Sequence, residues 1–217
     1  MSTLSLETLD FVINEPRQAR GRQTYDRLLM AAQEILVEGG YDALNSNAIV
    51  ERAGLTPPAF YRYFPNKLSV LMVLAIRLME AQNDIFVQRQ GVLVENRDQL
   101  VQSTLEILTQ TIDVTQNFLA GRELLLLMRA LPELQKIRCH SRDVMAAFLQ
   151  AELYPVENEA DRHHALTRAA LAIELGYATM ELLFDTGLRD RDEVLARAAH
   201  AIVAIFDDTL PEGMAVS

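Results

Sequence analysis

ALNSNAIVERAGLTPPAFYRYFPNK, residues 43–67, reads as two short helices joined by a tight turn, with an aromatic exit into a third. Asn45 is a good N-cap, because its side chain accepts from a free amide of the first turn. Ile49, Val50 and Ala53 then recur at helical spacing and form one buried face. Gly54 supplies the left-handed turn that strains any residue with a side chain. Thr56 caps the next helix, and Pro57 and Pro58 take first-turn positions whose amides have no partner anyway. Phe60 and Phe64, four apart, point inward and leave Tyr61, Arg62 and Tyr63 more outward. The pattern is a helix-turn-helix.

Upstream, a helix is expected from Gln23 to Glu38, with Tyr25, Leu28, Ala32, Ile35 and Leu36 as its apolar stripe. Gly39-Gly40 ends it, and Tyr41 and Leu44 close a small core. Residues 1–22 form an arm in which Leu4, Leu6, Leu9, Phe11, Val12 and Ile13 make a short helix or order only against a partner. Arg17, Arg20 and Arg22 end that arm, as a basic strap for phosphates or as a solubilising tail. Downstream, a long helix from Pro65–Leu68 to Gln88 spans about 30 Å at 1.5 Å per residue. Gly91 marks a turn, and Asn96 with Gln99 resembles a capping pair. Further helices are expected over 97–114, 116–130 with an interruption at Gly121, 132–153 stopped by Tyr154-Pro155, 159–186 and 190–209. No stretch alternates apolar and polar residues, so the fold class is all-α.

The net charge of −10 is unevenly placed. Residues 16–67 hold seven bases against five acids, whereas 68–217 hold thirteen against twenty-two. The acidity belongs to the body, and the N-terminal head is mildly basic. The single Cys139 excludes an intramolecular disulfide and suits a reducing cytoplasm. The first residues lack the basic and apolar regions of a signal peptide, and the longest apolar run, Leu124–Met128, is too short to span a bilayer. A cytoplasmic chain without a membrane partner is expected.

The string G-L-T-P-P-A-F-Y-R-Y-F-P-N-K, preceded by I-V-E-R-A and followed by a long helix, resembles the tetracycline-repressor (TetR) family of transcriptional regulators. The resemblance covers roughly residues 20–75 and fades beyond. It implies a homodimer whose helix-turn-helix domain, 23–67, binds a palindromic operator in double-stranded DNA. The larger helical domain, 68–217, then holds a small-molecule effector and the dimer contact. Carried over position by position, Asn45 falls where a capping hydroxyl residue meets phosphate, with Ser46 beside it. Thr56 falls at the cap of the recognition helix, Pro57, Pro58 and Ala59 at base-facing positions, Tyr61 and Tyr63 at the signature aromatics and Lys67 at the start of the long helix. Arg22 joins them from the arm. Prolines offer no amide donor, so base reading relies on thymine methyls, on Tyr61 and on shape. Tyr61 and Tyr63 have an alternative role as half-buried packing against Phe60 and Phe64.

The resemblance places the effector among the linker and middle helices. Candidate wall residues are Met79, Phe86, Leu105, Leu108 and Met128, followed by Met145, Phe148, Tyr177 and Met180; each is otherwise plain core. An adaptable, methionine-rich wall suits a largely apolar effector, and Glu174 is a candidate counter-ion for a cationic one. The last two helices are apolar over more than one face. Leu166, Ala169, Ile173, Gly176 and Met180 on the first, with Val194, Ala198, Ala201, Ile202 and Ile205 on the second, are expected to meet their copies as a four-helix bundle. The alternative is a thick monomer core. The histidines show no metal-ligand spacing, and no P-loop, G-x-G-x-x-G or G-x-S-x-G occurs, so neither enzyme, metal nor cofactor is expected. A repressor, an activator of the same family and a helical adaptor without DNA binding are the functional alternatives.

Overall fold

The computed structural model describes residues 15–89, 96–153, 158–184 and 190–207. Among them the elements are helical throughout: α1 (Ala19–Ala43), α2 (Ser46–Ala53), α3 (Pro57–Tyr61), α4 (Lys67–Gln88), α5 (Arg97–Asn117), α6 (Gly121–Ala130), α7 (Pro132–Leu153), α8 (Glu159–Phe184) and α9 (Arg191–Ala204). They form two units, one drawn from Met1–Glu80 and Thr115–Arg138, the other from Ala81–Val114 and Cys139–Ser217. The arm over residues 1–14, Gly91, the Tyr154-Pro155 stop and the expected helix ends at 186 and 209 lie outside the described residues.

In the first unit α1 begins at Ala19, ahead of the expected Gln23, so Arg20 and Arg22 stand in its opening turn rather than on an arm. The glycine pair interrupts this helix where its end is expected, at a kink. Gly40 takes φ 67°, and one more turn follows to Ala43. Tyr25, Leu28, Leu29 and Leu36 of α1 are buried, as are Leu44, Ile49, Phe60, Phe64, Leu71 and Leu74. Tyr25 sits at the middle of the aromatic group, stacked on Phe64 at 4.8 Å and edge-on to Tyr63 at 5.7 Å. Its buried hydroxyl has no hydrogen-bond partner among the described residues. Burial, aided by the Glu15 carboxylate, pushes this phenol well above its ordinary range. On the surface, Arg52 of α2 grips Glu38 of α1 through bonds of 2.9 and 2.6 Å and reaches Glu34 at 3.4 Å. That grip holds the Glu38 carboxyl below the usual range, but an exposed pair adds little stability.

The interruption expected at Gly121 is the α5–α6 corner, with 116 and 117 belonging to α5 rather than to the helix that follows. No helix runs through Gly121; α6 starts there, and Ala120 ahead of it takes the left-handed conformation, φ 62° and ψ 22°. A Cβ on Gly121 would lie 2.1 Å from the Thr115 carbonyl oxygen, so the glycine answers a lack of space rather than a need for unusual torsions. The Gln33 side chain of α1 donates to the Leu119 carbonyl at 2.6 Å and ties this corner to the head.

In the second unit α8 packs against α9, which Asp190 caps by accepting from the Glu193 amide at 3.0 Å. Asn96 caps α5 in the same way, accepting from Gln99 at 3.0 Å. Asn83 and Ser141 are buried and donate to one another's side chains at 3.0–3.2 Å.

Candidate nucleic-acid interface

The turn between α2 and α3 is built from local chemistry. Asn45 Oδ1 accepts from the Ala48 amide at 3.0 Å and so starts α2. Gly54 ends it at φ 60°, ψ 42°, and the Gly54 and Leu55 amides turn back to the Glu51 and Val50 carbonyls at 3.0 Å each. Arg27 of α1 adds a donor to the Ala53 carbonyl at 2.5 Å. Its cation sits where the helix dipole favours one. A contact across 26 positions leaves no local signal in the sequence.

Thr56 occupies the cap position of α3, but its hydroxyl makes no cap bond. Pro58 has no amide to receive it, and the Ala59 amide bonds instead to the Thr56 carbonyl at 2.9 Å. The Thr56 side chain is exposed. So are Pro57, Pro58 and Tyr61, while Phe60 between them is buried. Tyr61 is 56% exposed, and its hydroxyl lies 3.2 Å from that of Ser46, joining the starts and ends of the two short helices.

Two expectations change here. Tyr63 does not face outward; it is buried, with its ring against Tyr25. The α3 helix stops at Tyr61, so helical spacing no longer dictates where residue 63 points. Lys67 does not extend freely from the start of α4. Its ammonium donates to the Leu44 carbonyl at 3.0 Å and lies 3.9 Å from the centroid of the Tyr41 ring. Arg22 is exposed on α1, its Nε donating to the Pro16 carbonyl at 3.1 Å. Arg17, Arg20 and Arg62 are exposed as well.

The candidate effector residues divide between the units. Met79 and Met128 are buried in the first; Phe86, Leu105, Leu108, Met145, Phe148, Tyr177 and Met180 belong to the second. Within the second unit, Gln82 of α4 directs its amide to the Met180 sulfur at 4.0 Å. Glu174 is already engaged, accepting from Arg142 at 3.2 Å, so it answers a cation of the chain itself.

Along α8 and α9 the expected interface residues fall on several faces. Ala169, Met180, Ala198 and Ile202 are buried within the chain. Gly176 faces Leu108 of α5, whose Cδ2 would stand 3.5 Å from an added Cβ. Leu166, Ile173, Val194 and Ile205 are half-buried, and Ala201 is exposed. The outward apolar residues are instead Leu171, 56% exposed, and Leu182, 47% exposed, with exposed Ala178 between them.

A family model described as "Bacterial regulatory proteins, tetR family" matches residues 28–72. Over 87 residues the chain is 34% identical to the HTH-type transcriptional activator FasR of Mycolicibacterium smegmatis, covering 39% of this chain and 37% of that protein. Over 51 residues it is 39% identical to the HTH-type transcriptional repressor KstR of the same organism, covering 24% and 25%. The matches therefore span well under half the length of these relatives. A TetR-family regulator from Streptomyces coelicolor has the same fold, with a TM-score of 0.64 at 20% identity over 85% of this chain and 80% of that one. The TetR-family repressor AlkX from Dietzia superposes at a TM-score of 0.55 with 15% identity, over 88% and 98%.

Proposed function

We propose that this chain, a TetR-family protein by its helix-turn-helix segment and its fold, is a one-component transcriptional regulator that binds a palindromic operator as a homodimer. The observation that carries the reading is the α2–α3 pair itself. A capped, glycine-turned hairpin leaves Thr56, Pro57, Pro58 and Tyr61 exposed at its second helix, in a head where bases outnumber acids over residues 16–67. Operator binding is assigned to 23–67, effector binding and dimerisation to 68–217. Exposed Leu171, Ala178 and Leu182 of α8, with Ala201 and Ala204 of α9, supply the apolar surface for a two-fold contact. A largely apolar small molecule among the buried methionines and aromatics of the body would shift the dimer between binding and released states. Among the similar proteins one is an activator and another a repressor, and repression is the reading proposed here. No helix among the described residues is long and apolar enough to cross a membrane, in keeping with a cytoplasmic regulator.

Selection from a random duplex library, followed by titration of the enriched duplex at two salt concentrations, tests the proposal. An enriched palindrome with steep salt dependence supports it; a folded dimer that enriches nothing refutes it. Two variants then separate the roles of neighbouring side chains. Tyr61→Phe removes an exposed hydroxyl and is expected to weaken operator binding about tenfold if that hydroxyl meets a phosphate, with thermal stability unchanged. Lys67→Ala removes the contacts with Leu44 and Tyr41 and is expected to lower stability by about 1 kcal/mol. It should also reduce the salt slope by about one if the ammonium reaches DNA as well. A lowered stability with an unaltered slope would confine Lys67 to the fold.

A further inference from the structure

We propose that the exposed face of α3 reads the C5 methyl group of pyrimidines, so that each operator half-site carries thymines opposite Pro57 and Pro58 and accepts 5-methylcytosine there in place of thymine. The inference rests on the operator-binding reading and specifies what that face recognises.

The argument begins with what the face lacks. Phe60 is buried, and the side chains left outward on α3 are Pro57, Pro58 and Tyr61. Both prolines present only methylene groups and have no amide hydrogen. Adenine, guanine and cytosine edges in the major groove carry donors or acceptors that would lose water against such a surface and gain no partner. Thymine alone among the four bases offers a methyl group there, and covering it removes apolar surface from water on both sides.

Several polar groups beside the prolines already have partners within the fold. The Tyr61 and Ser46 hydroxyls hold one another at 3.2 Å. Asn45 uses its oxygen on the Ala48 amide and its nitrogen on the Ala43 carbonyl, at 3.0 and 3.2 Å. The Arg62 guanidinium lies 5.6 Å from the centroid of the Tyr63 ring, and Lys67 is held by Leu44. Thr56 keeps an exposed hydroxyl without a cap bond, at the edge of the proline pair rather than on it. At Pro57 and Pro58 themselves, apolar contact is the readout available.

The test uses the full-length protein and the duplex enriched by selection. Each thymine is replaced singly by deoxyuridine, which pairs identically and lacks only the methyl. Two neighbouring positions per half-site are expected to lose about fourfold in affinity each, the value of one buried methyl-sized group, while the other thymines change less than twofold. Cytosine at either position should bind more weakly than thymine, and 5-methylcytosine should recover part of the loss. Pro58→Ala, checked for native helicity, should flatten the deoxyuridine effect at one position and leave the other. Tight binding with every deoxyuridine within twofold of its thymine, or an enriched half-site without neighbouring thymines, would overturn the inference while leaving the regulator standing. Failure to enrich any duplex would remove the regulator reading and this inference with it.

Discussion

Replacing Phe64 with alanine is expected to destabilise the head by about 3–5 kcal/mol, the range for truncating a buried aromatic, and to abolish operator binding with it. Phe64 is 1% exposed. It stacks on Tyr25 at 4.8 Å and meets Phe60 at 5.7 Å, so its ring holds α1 against the exit from α3. Neither α2, with eight residues, nor α3, with five, can persist without tertiary support. The exposed face proposed to meet DNA therefore depends on the buried rings behind it. Urea denaturation followed by circular dichroism measures the loss. Phe64→Leu keeps most of the volume and should recover more than half of it. A midpoint for Phe64→Ala equal to the parent's would mean that the aromatic group is not what assembles the head.

The second large effect is expected at the α5–α6 corner, where adjacent substitutions should act in opposite directions. Gly121→Ala puts a Cβ 2.1 Å from the Thr115 carbonyl oxygen and 3.1 Å from its carbon. Both are backbone atoms, which no rotamer change can move aside. The end of α5 must shift, at a cost of about 1–3 kcal/mol or somewhat more. Ala120→Gly relaxes the one residue with a side chain that has positive φ among the described residues and should gain about 1 kcal/mol. Thermal unfolding of both variants decides the matter, and equal signs would contradict the corner as described. Because Gln33 of α1 holds the Leu119 carbonyl, the first substitution should also lower the unfolding midpoint of the head.

The helix-turn-helix was legible because its determinants are local. The Asn45 cap, the left-handed Gly54 and the first-turn prolines each act within four residues of where they stand. Legibility ended where the chain's period ended. Tyr63 follows a helix that has already stopped at Tyr61, so the spacing that placed Phe60 inward carries no information about it. At the α5–α6 corner the glycine was visible but its purpose was not, since positive φ falls on Ala120 and Gly121 answers a steric limit. Along α8 apolar residues occupy every face, and periodicity has nothing to choose between. Burial turned Ala169 and Met180 inward and left Leu171 and Leu182 outside. The partners of Gln33 and Glu174, across 86 and 32 positions, are tertiary facts with no local trace.

The way Lys67 is held has a consequence for covalent labelling. The chain has only two lysines, Lys67 and Lys136. An ammonium that donates to the Leu44 carbonyl and rests on the Tyr41 ring is a poor target for an acylating reagent, whereas Lys136 is exposed to it. Acylation at Lys67 requires its ammonium to leave the Leu44 carbonyl and the Tyr41 ring first. The protein thus carries its own chemical clock: the ratio of adducts at the two lysines, read by mass spectrometry, counts how often the Lys67 side chain lets go of the end of α1.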